Sequence, residues 1–95
     1  MLEKVKLALR IKTTAYNDEL TDLIASALDD LKIAGVIIPE NPAADANIRR
    51  AVITFCKMSF GLPEDYDRLK ASYDEQKAQM SNATGYTDWE VSENV

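Results

Sequence analysis

The segment 16–36, YNDELTDLIASALDDLKIAGV, sets Leu20, Leu23, Ile24, Ala27, Leu28, Leu31 and Ala34 at alternating gaps of three and one, closing with a three. Apolar residues at that interval fall on one face of an α-helix. Asn17 stands where an N-cap would accept from the open amides of the first turn. Asp18, Glu19 and Asp22 follow close to the positive end of the helix dipole. Gly35 suits the left-handed residue that closes such a helix. Before this segment, Met1 to about Arg10 aligns Leu2, Val5 and Leu9 on one face, with Leu7 and Ala8 off the stripe. A short helix is expected there, stopped by the β-branched Ile11, Thr13 and Thr14.

The run VIIPENPAADA (36–46) cannot be helical throughout, because its two prolines lack donors and push the residues before them out of the α region. Val36, Ile37 and Ile38 either form a short extended piece or close over the core. Asp45 reads as the next N-cap. After it, ANIRRAVITFCKMSF (46–60) is apolar on most sides, which predicts the central, most buried helix, ended by Gly61. Pro63 at a first helical position, with Glu64 and Asp65 behind it, opens a last helix. Its apolar seam is thin: Tyr66, Leu69, Tyr73 and Met80 amid charge. Asp74 precedes Lys77 by three residues, a pair worth only tenths of a kcal/mol. Ser81 to Gly85 reads as the stop. The expected fold is all-α: a small four-helix domain over residues 1–80, then a non-helical, partly flexible extension over 81–95. That extension holds the only tryptophan, Trp89, with Tyr86 three residues before it.

Composition narrows the function. Ninety-five residues make one domain, and with 46% hydrophobic residues and three each of glycine and proline the chain suits a helical core. There is no histidine, so the commonest general base and zinc ligand are missing. The one cysteine, Cys56, cannot form an internal disulfide, and no apolar run is long enough to cross a bilayer. The expectation is a soluble protein of a reducing cytoplasm. The net charge of −5 is unevenly spread, for Lys4, Lys6, Arg10 and Lys12 stand against Glu3 in residues 1–12 and the rest is acidic on balance. An acidic chain without a basic patch is ill suited to wrapping nucleic acid.

Candidate chemistry is sparse. Cys56 lies in the most apolar helix and reads as a small core residue, not a reactive thiol. Asp18 and Asp22 are one turn apart, and Asp29 adjoins Asp30. A divalent-cation site could draw on such acids, but no glycine-punctuated calcium loop or phosphate-cradling loop accompanies them, and a solvated face explains them more simply. Arg49 and Arg50, at the start of the third helix, are candidates for pairing with Asp29 and Asp30 or with a neighbouring subunit, ahead of phosphate contact. Tyr16 is expected to cover the start of the second helix.

Taken in order, LRI, YNDELTDLIASALDDLKIAGV, DANIRRAVITFCKMSFG and MSNATGYTDW resemble the small head–tail connector proteins of tailed bacteriophages, a group also labelled DNA-packaging proteins. The likeness runs over most of the chain and rests on order and spacing, with no catalytic signature. It implies a homo-oligomeric ring beneath the portal protein at the virion's head–tail junction, assembled in the host cytoplasm. Such a ring would extend the DNA channel without reading sequence and support the tail or a stopper protein. It implies no cofactor, no metal and no catalytic residue. Tyr86 and Trp89 then become candidate anchors to a partner, since aromatics bury much area at little entropic cost, or else Trp89 folds back onto its own domain. The rival readings are a small cytoplasmic helical adaptor and a metal-dependent enzyme using the helix-two carboxylates.

Overall fold

Among the described residues the chain forms four α-helices, as the patterns predict, and one 3₁₀ turn that they did not: α1 (Leu2–Leu9), α2 (Asn17–Ile33), the 3₁₀ turn Pro42–Ala44, α3 (Ala46–Ser59) and α4 (Tyr66–Asn82). The computed structural model describes residues 1–60 and 64–82. Among these there is no strand, and the fold is the all-α, four-helix arrangement that the periodicity predicts. Helix α3 is the centre, as expected, and α1, α2, α4 and the 3₁₀ turn all pack against it. Its buried stripe is Ile48, Ala51, Val52 and Cys56. Leu20, Ile24, Ala27 and Leu31 of α2, Val5 of α1, Val36, and Tyr73 and Met80 of α4 complete the core. Fully burying one such aliphatic side chain stabilises the fold by about 1.5–3 kcal/mol, so this face outweighs every cap described below.

Two helices end in the same reversal. At the end of α2, Gly35 has φ 98°. Its N–H donates to the Lys32 carbonyl at 3.0 Å and the Val36 N–H to the Leu31 carbonyl at 3.0 Å. This is the Schellman arrangement, and it delivers Val36 into the core beside Leu31. At the end of α1, Arg10 plays the glycine's part at φ 61°, ψ 39°. The Arg10 N–H donates to Leu7 at 3.2 Å and the Ile11 N–H to Lys6 at 2.9 Å. The helix therefore stops at a left-handed arginine, one residue before the β-branched stretch expected to stop it.

The helix starts divide. Asp45 caps α3 as its position predicts, its Oδ1 accepting from the amides of Asn47 at 3.0 Å and Ile48 at 3.1 Å. Asn17 does not cap α2. The chain enters through a turn in which the Asn17 N–H donates to the Thr14 carbonyl at 3.1 Å, so Asn17 is already the first helical residue and Tyr16 the cap position. From there its side chain does not reach back to the first-turn amides, and its Oδ1 is buried without a hydrogen-bond partner. For α4, the first i to i+4 bond runs from the Leu69 N–H to the Asp65 carbonyl at 3.0 Å. The helix thus begins at Tyr66, later than Pro63 predicts, with Glu64 and Asp65 forming a turn ahead of it. Gly61 and Pro63 lie outside the described residues. Tyr66 is 42% exposed and does not join the seam, whereas Tyr73 and Met80 do.

Candidate functional site

Helices α2, α3 and α4 leave a groove of about 470 Å³ between them, open along one side. Ile33 of α2 and Phe55 and Met58 of α3 supply apolar walls, and Asp29, Asp30, Lys70, Tyr73, Asp74 and Lys77 supply the polar ones. The helical repeat places these groups. Lys70, Tyr73, Asp74 and Lys77 recur at three- and four-residue steps along α4 and so share a face. Asp29, Asp30 and Ile33 occupy the last turns of α2, off its buried stripe.

The polar groups are knitted around Asp30. Its Oδ2 accepts the Tyr73 hydroxyl at 2.6 Å and the Lys77 ammonium at 3.0 Å. Lys77 also lies over the Tyr73 ring at 5.1 Å, and Phe55 meets that ring edge-on with centroids 5.4 Å apart. Partial burial pushes the Asp30 carboxyl upward, but the hydrogen bonds from Tyr73 and Lys77 and the charges of Lys77 and Lys70 outweigh it and leave Asp30 below the ordinary carboxylate value. Burial, reinforced by the bond to Asp30, holds the Tyr73 hydroxyl well above its usual range. Further out, Lys70 pairs with Asp74 at 2.8 Å, and that bond raises the lysine's own pKa.

The expected Asp74–Lys77 pair does not form, because each residue has a better-placed partner in Lys70 and Asp30. Nor do the arginines meet the α2 acids. Arg49 is half-buried, and its Nη1 donates to the Ala43 carbonyl at 2.7 Å, tying the 3₁₀ turn to α3. Arg50 is exposed beside it. Tyr16, at the cap position of α2, sets its ring edge-on against Phe60 at 5.2 Å and remains 45% exposed. Cys56 is buried in the core, where desolvation pushes its thiol up to about 11. Tyr86 and Trp89 lie outside the described residues. Among the described residues no three potential ligands group to hold a metal ion, and no helix is long and apolar enough to cross a membrane. Sequence reasoning missed the groove itself: Tyr73 read as core, which it is, but its hydroxyl bond to Asp30 was not foreseen, and Asp30 read as a solvated acid or an arginine partner. One signal was available, since Ile33 falls outside the α2 stripe although it is apolar.

The described residues thus form a small all-α domain built on one central helix, with a groove of mixed apolar and charged lining. The model of the phage connector protein family matches residues 1–87, and the chain belongs to that family. No curated protein and no solved structure matches it. The family is a structural one, so membership implies a non-enzymatic role, association with phage head and tail proteins, and a place at the head–tail junction of the virion.

Proposed function

We propose that this connector acts as a ring. Copies assemble side by side beneath the portal of a filled capsid, continue the channel through which DNA passes, and form the platform for the tail or a stopper protein. The family match over residues 1–87 carries the reading, because it spans the whole described helical domain. The net charge of −5 supports the channel role, since carboxylates repel phosphate and let DNA pass without a sequence-specific grip. In this reading the helical domain, whose last helix runs through Asn82, two residues past the expected boundary at 80, is the ring-forming unit, and the sequence after it is an extension that reaches a partner through Tyr86 and Trp89. Arg50, and the part of the Arg49 fork not committed to Ala43, contribute to a subunit or partner contact.

The test is assembly. Phage lacking this protein are expected to yield DNA-filled heads without tails. Adding the purified chain to those heads restores tail attachment and places a ring under the portal in electron micrographs. Intact tailed particles made without the protein would end the proposal. The Trp89 emission is expected to shift to the blue when portal or ring assembly is added, as a partner covers the indole.

A further inference from the structure

Two apolar side chains stand out from the helices on which they sit. Leu7 of α1 is 78% exposed and Ile33 of α2 is 85% exposed. Both lie off the stripes that bury their own helices, so neither is a core residue that failed to reach its place. Their surroundings differ in charge. One turn before Leu7 is Lys4 and one turn after it is Arg10, both exposed, with Glu3 the one acid nearby. One turn before Ile33 is Asp29, also exposed, on the same outer stripe of α2 as Asp18 and Asp22. Beyond Ile33 the surface runs into the groove, where Phe55 and Met58 are half-buried. The groove's lysines, Lys70 and Lys77, already hold Asp74 and Asp30. Asp29 makes no ion pair among the described residues, so the rim keeps a negative charge to offer.

We propose that Leu7 of one copy seats beside Ile33 in the α2–α3–α4 groove of the next, with Lys4 and Arg10 facing Asp29 and the acidic stripe behind it. The occupant is a second copy of this chain because the chain carries both halves of the complement. Residues 1–12 hold four basic side chains and one acid, in a protein whose net charge is −5; Lys6 is buried, and Lys4, Arg10 and Lys12 are the three that reach solvent. Both faces are exposed in a single copy, so neither satisfies the other within it. Two different faces meeting head to tail make a heterologous contact, which closes into a ring when the rotation allows. Apolar centres rimmed by opposite charge give such a contact its affinity and its register. The inference rests on the ring reading and names the surfaces that build it.

Single-cysteine additions test it without disturbing the core, as both positions face solvent and Cys56 is buried. Leu7→Cys and Ile33→Cys full-length chains are mixed and treated with a short thiol crosslinker, and the wild type is followed by sedimentation alone and with portal. The mixture is expected to give covalent dimers that neither variant gives alone, and high salt is expected to reduce their yield. A control mixture of Leu7→Cys with Glu40→Cys, a solvent-facing position elsewhere, sets the background. A 7–33 yield no higher than this background overturns the inference. If rings still form in that case, the ring reading survives and these surfaces are not its contacts. If the 7–33 link forms but no ring does, the contact stands and the ring reading falls.

Discussion

Asp30 shows how one residue joins two helices. It is half-buried at the end of α2, and both of its strong partners, Tyr73 and Lys77, come from α4. A carboxylate held below its ordinary value stabilises the fold at pH above the unfolded-state value, near 3.9, and that stability is lost as pH falls through the folded value. Urea unfolding of the wild type and of Asp30→Asn is therefore expected to show a gap at pH 7 that narrows below about pH 4. A constant gap would mean that the charge of Asp30 contributes nothing. Tyr73→Phe keeps the ring against Phe55 but removes the hydroxyl, and is expected to cost about 1 kcal/mol, discounted for the partial exposure of Asp30. Neither effect was legible in the sequence, where Asp30 is one of several acids. Its role depends on which side chains of a helix more than forty residues away stop opposite it.

Each helix is delimited by its own device, and those devices differ in strain. Gly35 adopts its left-handed conformation freely, whereas Arg10 takes one that costs an ordinary residue about 1–2 kcal/mol. Opposite outcomes are expected: Gly35→Ala loses about 1 kcal/mol, and Arg10→Gly gains up to about 1 kcal/mol once the extra freedom of glycine in the unfolded chain is subtracted. Denaturant midpoints of the two variants against wild type check both signs. The Asp45 cap and the Gly35 closure were legible because a capping side chain or a missing Cβ acts on its immediate neighbours. The left-handed Arg10 was not, since nothing local prefers it. Helix α1 turns there because Val5, Leu9 and Ile11 must all reach the same core. Asn17 failed as a cap for a similar reason, with the turn at Thr14 starting the helix one residue early.

At the scale of the whole molecule, α3 is the element on which every other one is built, and Cys56 lies on its buried stripe. A thiol that is both buried and pushed up to about 11 offers almost no thiolate at neutral pH. Ellman's reagent is expected to label Cys56 only as fast as the domain opens, and at full rate once urea unfolds it. Rapid labelling of the folded chain would contradict a closed core around α3. By itself the sequence determined the four helices of the described residues, which of them is central, which faces are apolar, and that it holds no histidine and too few cysteines for an internal disulfide. These are properties of spacing and composition, and they act within a turn or two of their own residues. Only the tertiary structure decided that α2, α3 and α4 enclose a groove, that Lys77 chooses Asp30 over Asp74, that Arg49 holds the 3₁₀ turn, and that Leu7 and Ile33 are left facing water. Those outcomes depend on how the helices rotate and cross when their stripes pack together. A periodic pattern states which face is buried but not which neighbour's side chains will stand opposite its edges.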